Sequence, residues 1–147
     1  MFTINPFSEL SGFISPMAMQ IYVVLMALLV VGGTVLDMIH KQSAKYFFEN
    51  AKKAEKNARR TVSSSEKTSL AMQTLTNEVL TSSEFANPKR RISHLFTMYG
   101  FIVFIVATAV LIFGYPTDSA AGIWPILWHL GALSLAFGGY WFWFFIR

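Results

Sequence analysis

The sequence predicts an all-α integral membrane protein with three transmembrane helices, and three observations support this fold class. Apolar residues make up 54% of the chain and charged residues only 14%. The apolar residues are concentrated in three runs, over 17–39, 95–115 and 122–146, where Asp37 is the one Asp, Glu, Lys or Arg. Each run is long enough to cross roughly 30 Å of hydrocarbon at about 1.5 Å per residue.

These runs divide the chain into six segments. We expect an outer N-terminal segment (1–16), a first transmembrane helix (17–40), a basic cytoplasmic helical hairpin (41–93), a second transmembrane helix (94–115), an outer turn (116–121) and a third transmembrane helix (122–147). The first run is expected to be an uncleaved helix and not a signal peptide, because no basic segment precedes it and no clear small-residue cleavage site follows it.

The basic residues predict how the chain is oriented, because cytoplasmic loops retain Lys and Arg. Eleven of the twelve Lys and Arg lie between the first and second runs, and the twelfth is Arg147. The N-terminal segment and the turn that holds Asp118 have none. We therefore expect a multi-pass protein of the inner (cytoplasmic) membrane, with its N-terminus outside and its C-terminus inside. The net charge of +4 then requires no nucleic acid partner.

The basic connection over 41–93 predicts two helices. Its first part, KQSAKYFFENAKKAEKNARR, is rich in helix formers and is expected to prolong the first membrane helix into the cytoplasm. The stretch SSSE over 63–66 has the spacing of a capping box, and LAMQTLTNEVL follows it with a rough apolar stripe. This indicates a second helix that ends before Pro88. Two interpretations stay open: the hairpin rests on its own membrane domain, or it docks a soluble subunit.

The groups available for redox or proton chemistry are the three histidines. The chain has no cysteine, which excludes thiol chemistry and thiolate ligation of an iron–sulfur cluster. A histidine inside a membrane is costly unless it is paired, and its neutral ring is a good ligand for haem iron. His40 ends the first run and His94 begins the second, so we expect both near the cytoplasmic face. His129 is expected level with about residue 108, about 20 Å from His94, so one iron cannot take both within one chain.

Two haem arrangements satisfy this spacing. In the first, His40 and His94 ligate one haem b near the inner face, and Gly100 eases close approach of the flat ring. The haem propionates would then pair with neighbouring cations, namely Lys89, Arg90 or Arg91. In the second arrangement, each histidine pairs with a ligand from another subunit or another copy of the chain. The simpler alternative is that His40 and His94 are interfacial residues and that the cations only set the topology.

His129 also has two interpretations. In the first, it bonds across to a neighbouring helix, through Thr108 or Ser134. In the second, it serves a quinone pocket, and His129 with Asp118 provides a proton path to the outer water. Small residues on the same helix favour close packing of another helix or of a flat cofactor.

The stretch RRISHLFTMYGFIVFIVAT resembles the second membrane helix of respiratory cytochrome b subunits of the nitrate reductase gamma and heterodisulfide reductase E type. That helix commonly has an arginine, a histidine shortly afterwards, an aromatic residue with a glycine, and a Phe-rich run that ends near a threonine. The matching residues are Arg91, His94, Tyr99, Gly100, Phe101, Phe104 and Thr108. The basic hairpin and LWHLGALSLAFGGYWFWFFIR also resemble the membrane anchor associated with adenylylsulfate reductase in sulfur oxidisers.

This resemblance implies an anchor for a soluble redox subunit on the cytoplasmic side, which exchanges electrons with the quinone pool through haem b ligated by His94. It covers under half of the chain, and the nitrate reductase type has about five spans and several ligand histidines. The chain is therefore expected to be either a short anchor completed by other membrane subunits or the front of a longer protein. The alternative from a different class is a cofactor-free accessory or assembly subunit whose histidines are structural.

Overall fold

The computed structural model describes residues 2–58 and 62–147, and over these ranges the chain is helical and has no strand. The helices are α1 (Pro6–Leu10), α2 (Pro16–His40), α3 (Ser43–Lys56), α4 (Ser64–Thr74), α5 (Pro88–Ala109) and α6 (Trp124–Phe145). Two of them continue into a π-helical turn, α4 over Leu75–Leu80 and α5 over Val110–Gly114. The predicted all-α class is confirmed.

Two of these helices, Pro16–His40 and Pro88–Gly114, are long and apolar enough to cross a membrane. Only 6% of the apolar stretch of the first and 22% of that of the second are buried. A core helix of a water-soluble protein would bury most of such a surface, so this exposure favours a membrane environment. The third predicted span is not confirmed, because the glycines, the tryptophans and the histidine of α6 lower its hydropathy.

The described chain forms two compact units. The first comprises Met1–Gln20 and Met72–Arg147, and it contains α5 and α6. The second is Ile21–Ala71, and it contains most of α2, all of α3 and the start of α4. The candidate ligands His94 and His129 therefore belong to one unit, and His40 belongs to the other.

α5 and α6 pack against each other through small residues. Both helices bury such residues at seven-residue intervals, Ser93, Gly100 and Ala107 on α5 and Gly131 and Gly138 on α6. A methyl group added at Gly138 would lie 2.8 Å from Ser93 O, and Ser93 Oγ donates a hydrogen bond of 2.7 Å to Gly138 O. Gly131 and Gly138 thus serve the close packing of a neighbouring helix, as expected for small residues in apolar helices.

The register of the α5/α6 pair is antiparallel. Gly138 lies beside Ser93 at one end, and Trp128 Nε1 donates to Thr108 Oγ1 at 3.0 Å near the other. Residue numbers therefore rise along α5 as they fall along α6. This register confirms that His129 lies level with about residue 108, far along the pair from His94.

Asn5 fastens the N-terminal segment to the turn between α5 and α6. The side chain is fully buried. Its Nδ2 donates to Tyr115 O at 2.7 Å and to Asp118 O at 3.1 Å, and its Oδ1 accepts from the Phe7 N–H at 3.0 Å. The Asn5 N–H donates to Ser119 O at 3.1 Å. Because a buried polar group is costly unless it is hydrogen-bonded, this full set of partners holds the segment in place.

In the second unit, the first membrane helix is not prolonged as a straight helix into the basic connection. α2 ends at His40, Gln42 has a left-handed backbone with φ of 52°, and α3 begins at Ser43. This corrects the expected prolongation, because a left-handed residue interrupts the regular helix. Asp37 and Lys41 form an ion pair of 2.9 Å at this end of α2.

The remainder of the connection follows the predicted signals. The Glu66 N–H donates to Ser63 Oγ at 3.3 Å at the start of α4. Lys67 forms an ion pair of 3.1 Å with Glu55 at the end of α3. Helical structure ends at Leu80, before Pro88, as expected. Arg59 and Arg60 lie outside the described residues, and the hairpin as a whole stays a prediction.

Candidate functional site

His94 lies near the start of α5 and is held by the segment between α4 and α5. Its Nδ1 lies 2.9 Å from Ser82 Oγ, and its ring lies 5.0 Å from that of Phe85 at a tilt of 44°. Ser82 is buried and has a left-handed backbone with φ of 51°. Among the described residues, Nε2 of His94 has no hydrogen-bond partner. A histidine ligand commonly has this arrangement, in which one ring nitrogen is oriented by a hydrogen bond and the other is open.

Two neighbours of His94 on α5 hold the same segment. Arg91 Nε donates to Thr81 O at 2.8 Å, and Tyr99 Oη donates to Leu80 O at 2.7 Å. Carbonyl groups at the end of a helix have no hydrogen-bond donor within that helix. The side chains of Arg91 and Tyr99 provide the donors for these two carbonyl groups. Arg91, which was predicted to pair with a propionate, therefore also fixes the chain that enters α5.

His94 faces a cleft of about 620 Å³, which we call the His94 cleft. Phe85, Phe142 and Ile146 give it apolar walls, and two arginines, Arg90 and Arg147, also line it. The Arg147 guanidinium carbon lies 4.4 Å from the centre of the Trp143 ring. The cleft thus combines an open imidazole nitrogen, aromatic contact surface and two cations, which are the groups that a haem and its propionates require.

Sequence reasoning found two of these groups and missed the others. His94 and Arg90 were predicted, whereas Arg147, Phe142 and Phe85 were not. The antiparallel register of the two helices could have indicated Arg147 and Phe142. If residue 128 lies beside residue 108, then the end of α6 lies beside the start of α5. No sequence signal indicated Phe85.

Gly100 does not face the His94 cleft. A methyl group added at Gly100 would lie 2.7 Å from Leu135 N, so the space beside it is filled by α6. The packing of α6 is therefore the use of Gly100 that the structure shows, and the expectation that Gly100 eases the approach of a flat ring stays a prediction. Gly139 is the glycine that lines the His94 cleft, and nothing lies within 4 Å of the position that its Cβ would take.

His40 ends α2 and is exposed. It belongs to the second unit, and His94 belongs to the first. The pairing of His40 and His94 around one haem therefore stays a prediction, and so does the alternative second ligand from another subunit or copy.

His129 lies toward the other end of the α5/α6 pair and is half-buried. Its Nδ1 lies 2.7 Å from Pro125 O, one turn back on the same helix. A carbonyl oxygen only accepts hydrogen bonds, so Nδ1 carries the proton and Nε2 presents a lone pair. The rings of Phe2 and Trp128 each lie 5.0 Å from the imidazole in an edge-on arrangement. His129 therefore has an open acceptor nitrogen between aromatic rings.

The expected cross-helix bond of His129 is not formed in the described structure. Thr108 Oγ1 accepts from Trp128 Nε1 instead, and no bond joins His129 to Ser134. The neighbouring tryptophan thus makes the contact that was expected of the histidine.

Asp118 lies in the turn between α5 and α6 and is exposed. Its Oδ1 accepts from the Ala120 N–H at 2.9 Å, and its carbonyl oxygen accepts from Asn5 Nδ2. In the described part of the chain no hydrogen bond joins Asp118 to His129. The proton path through these two residues therefore stays a prediction.

Comparison with protein-family models, with curated proteins and with solved structures finds no match. Within the described residues there is also no group of three or more His, Cys, Asp or Glu that could hold a metal ion. A haem needs only one or two protein ligands. The function of this chain is therefore inferred from the geometry of the His94 cleft and from the surroundings of His129.

Proposed function

We propose that this chain is a membrane anchor and electron-transfer subunit that links the quinone pool to a cytoplasmic redox enzyme through haem b. The observation that carries this proposal is the His94 cleft. There, Ser82 occupies Nδ1 of His94 and leaves Nε2 open, and two arginines line the same cleft of about 620 Å³.

The residues of the cleft would divide the work of holding haem. His94 would ligate the iron through Nε2, while Arg90 and Arg147 pair with the propionate carboxylates. Phe85 and Phe142 would keep water from the ring. Haem b bound there supplies one-electron chemistry between a quinol and the redox partner. A second ligand to the iron would come from another subunit or, as the sequence predicts, from His40.

The proposal places three spans in the inner membrane, with α6 as the third. α6 has 22 residues, carries no Asp, Glu, Lys or Arg, and packs along α5, which is itself a candidate span. The cations between α2 and α5 then lie in the cytoplasm, with the N-terminus outside and the C-terminus inside.

A quinone would bind on the outer half, beside His129. The lone pair on Nε2 accepts a hydrogen bond, and then a proton, from a quinol hydroxyl group. Phe2 and Trp128 contribute aromatic surface to the same place. Asp118, in the exposed outer turn, would pass the proton to the outer water.

The partners of such a subunit follow from its two kinds of surface. The soluble redox subunit would dock on the basic cytoplasmic connection over 41–93. Other membrane subunits, copies of this chain or lipid would cover the apolar surface of α2, of which only 6% is buried.

One observation favours the alternative of a cofactor-free accessory or assembly subunit. Arg91, His94 and Tyr99 all bond to the segment over 80–82, so each of them already has a structural use. In this case His94 would fix the entry of α5, and the chain would only pack helices and hold a partner.

The test is a reduced-minus-oxidised absorption spectrum with a pyridine haemochrome assay on the detergent-purified complex. His94→Asn is the sharpest variant, because its amide can keep the bond to Ser82 at the position of Nδ1 while Nε2 is removed. His129→Asn is the matched control.

A b-type signal that is lost in His94→Asn and kept in His129→Asn would support the proposal. A flat spectrum from a fully assembled wild-type complex would overturn it and leave the accessory role. A b-type signal that survives in assembled His94→Asn would remove His94 from the ligand set.

A further inference from the structure

α3 carries an aromatic and basic surface that the haem and quinone sites do not use. Three consecutive aromatic side chains at its start are exposed, Tyr46 by 60%, Phe47 by 69% and Phe48 by 62%. Phe47 and Phe48 contact each other edge-on with ring centres 5.5 Å apart. Such a cluster is unfavourable in water unless something covers it.

The helical period sorts the residues of α3 onto two sides. At about 100° per residue, Phe47 shares one side with three alanines, Ala44, Ala51 and Ala54. Tyr46 and Phe48 border this apolar side, and lysines follow beyond each border, Lys53 beyond Tyr46 and Lys45 with Lys52 beyond Phe48. Glu49 lies on the opposite side. Asn50 and Glu55 also lie on the side of Phe47, toward its two borders, and Glu55 is paired with Lys67. A mainly apolar side flanked by lysines is the pattern of a helix that lies in a membrane interface.

The position of α3 in the chain brings this surface to the membrane. α2 is a candidate span, and α3 begins at Ser43, three residues after α2 ends at His40. The left-handed Gln42 between them interrupts the membrane helix, so the two need not share an axis. The first of the aromatic side chains, Tyr46, is therefore only six residues beyond the end of α2, near the membrane surface, where Tyr and Phe side chains are favourable.

The charge of α3 indicates which lipid it prefers. The helix carries four lysines and two glutamates, and Glu55 is already paired with Lys67 at 3.1 Å. Its flanks are therefore cationic, and long lysine side chains can reach lipid phosphates while their stems cover apolar surface. Anionic headgroups complement this charge.

We propose that α3 is an interfacial helix that binds the anionic cytoplasmic leaflet of the bilayer through Tyr46, Phe47 and Phe48 and through its flanking lysines. This inference goes beyond the proposed function and does not require haem. It divides the connection over 41–93, because α3 then lies on lipid and the later part remains for a soluble partner.

Site-specific spin labels test the proposal in the full chain, since the chain has no cysteine of its own. Phe47→Cys and Glu49→Cys are labelled separately and reconstituted into vesicles of phosphatidylcholine, with or without phosphatidylglycerol. Collision with oxygen reports the lipid phase, and collision with a water-soluble nickel chelate reports the aqueous phase. Glu49→Cys is the matched control, because it lies at the same level on the opposite side of α3.

With phosphatidylglycerol present, the label at position 47 should be accessible to oxygen and protected from nickel, and the label at position 49 the reverse. We also expect an effect of changing Lys45, Lys52 and Lys53 to Gln. For the label at position 47, each change should lower the ratio of nickel-protected to nickel-accessible label by about fivefold. Equal nickel accessibility at both positions would overturn the proposal. Protection of position 47 that requires a bound soluble subunit would assign the surface to that protein instead.

Discussion

Nδ1 of His94 lies 2.9 Å from the hydroxyl of Ser82, a buried residue with a left-handed backbone twelve positions earlier in the chain. This single contact orients the imidazole, and Nε2 has no hydrogen-bond partner among the described residues. Arg91 and Tyr99 donate hydrogen bonds to the adjoining carbonyl groups. Together with the Ser82 contact, these bonds hold the chain where it bends back immediately before α5.

Replacing Ser82 should weaken the binding of haem. Ser82→Gly keeps the left-handed backbone at no steric cost and removes only the hydroxyl. Because outer partners of a histidine ligand contribute to affinity, we expect haem to be retained about 10–100-fold less tightly and its midpoint potential to shift. Haem titration and redox potentiometry measure both. Glu84→Ala is the control on the same segment, and a Ser82→Gly protein with wild-type haem affinity would contradict this role for the hydroxyl.

The two adjacent glycines of α6 should respond oppositely to alanine. At Gly138, the added methyl group would lie 2.8 Å from Ser93 O and from Thr97 N. We therefore expect alanine there to destabilise the protein by about 1–3 kcal/mol. At Gly139 nothing lies within 4 Å, and alanine should be neutral or stabilise the helix by up to about 1 kcal/mol. Denaturant unfolding in detergent, followed by circular dichroism, compares the two. Equal effects at both positions would show that α5 and α6 do not pack in this register.

Asn5 should control whether the N-terminal segment stays attached. Asn5→Asp is nearly isosteric and keeps an acceptor for the Phe7 N–H, but it loses the donors to Tyr115 O and Asp118 O. Losing these two hydrogen bonds costs about 1–3 kcal/mol, and placing a charge at the buried position of the Asn5 side chain adds to this. We expect faster hydrogen exchange over residues 2–10, with exposed Thr3→Ala as the control. Unchanged exchange in Asn5→Asp would mean that other contacts hold the segment.

His129 should affect quinol oxidation without affecting haem content. His129→Gln can still accept a hydrogen bond but cannot take up a proton near neutral pH. The loss of a general base typically lowers a rate by about 10²–10⁴-fold. The rate at which a quinol analogue reduces the complex measures this effect. Ser134→Ala, on the same helix and without a bond to His129, is the control. A wild-type rate in His129→Gln would exclude His129 as the proton acceptor.

Local sequence signals predicted where the helices are. The apolar runs anticipated α2 and α5, which are observed over Pro16–His40 and Pro88–Gly114. α5 begins earlier than its apolar run because Asn87 caps it, accepting from the Lys89 N–H at 2.9 Å, and because Pro88 suits the first helical position. These signals act over a few residues, so they can be read without knowing the fold.

The contacts that build the candidate site were harder to predict. Arg147 and His94 line one cleft only because α5 and α6 are antiparallel. Gly100 was expected beside a cofactor, and the structure places α6 against it. The π-helical turns and the left-handed Ser82 also have no local signature. Each of these features depends on a partner far away in the sequence.

The helical class, the apolar segments, the concentration of cations between them and the histidines as the groups suited to ligation could all be predicted without the fold. These properties follow from composition and from periodicity along the chain, which act locally. Contacts between distant parts of the chain show that Ser82 orients His94 and that Arg147 joins Arg90 in the lining of the cleft. They also show that Asn5 holds the turn between α5 and α6, and that Gly138 serves packing while Gly139 stays open. Those assignments depend on which backbones approach each other, and that is decided by helix register and burial.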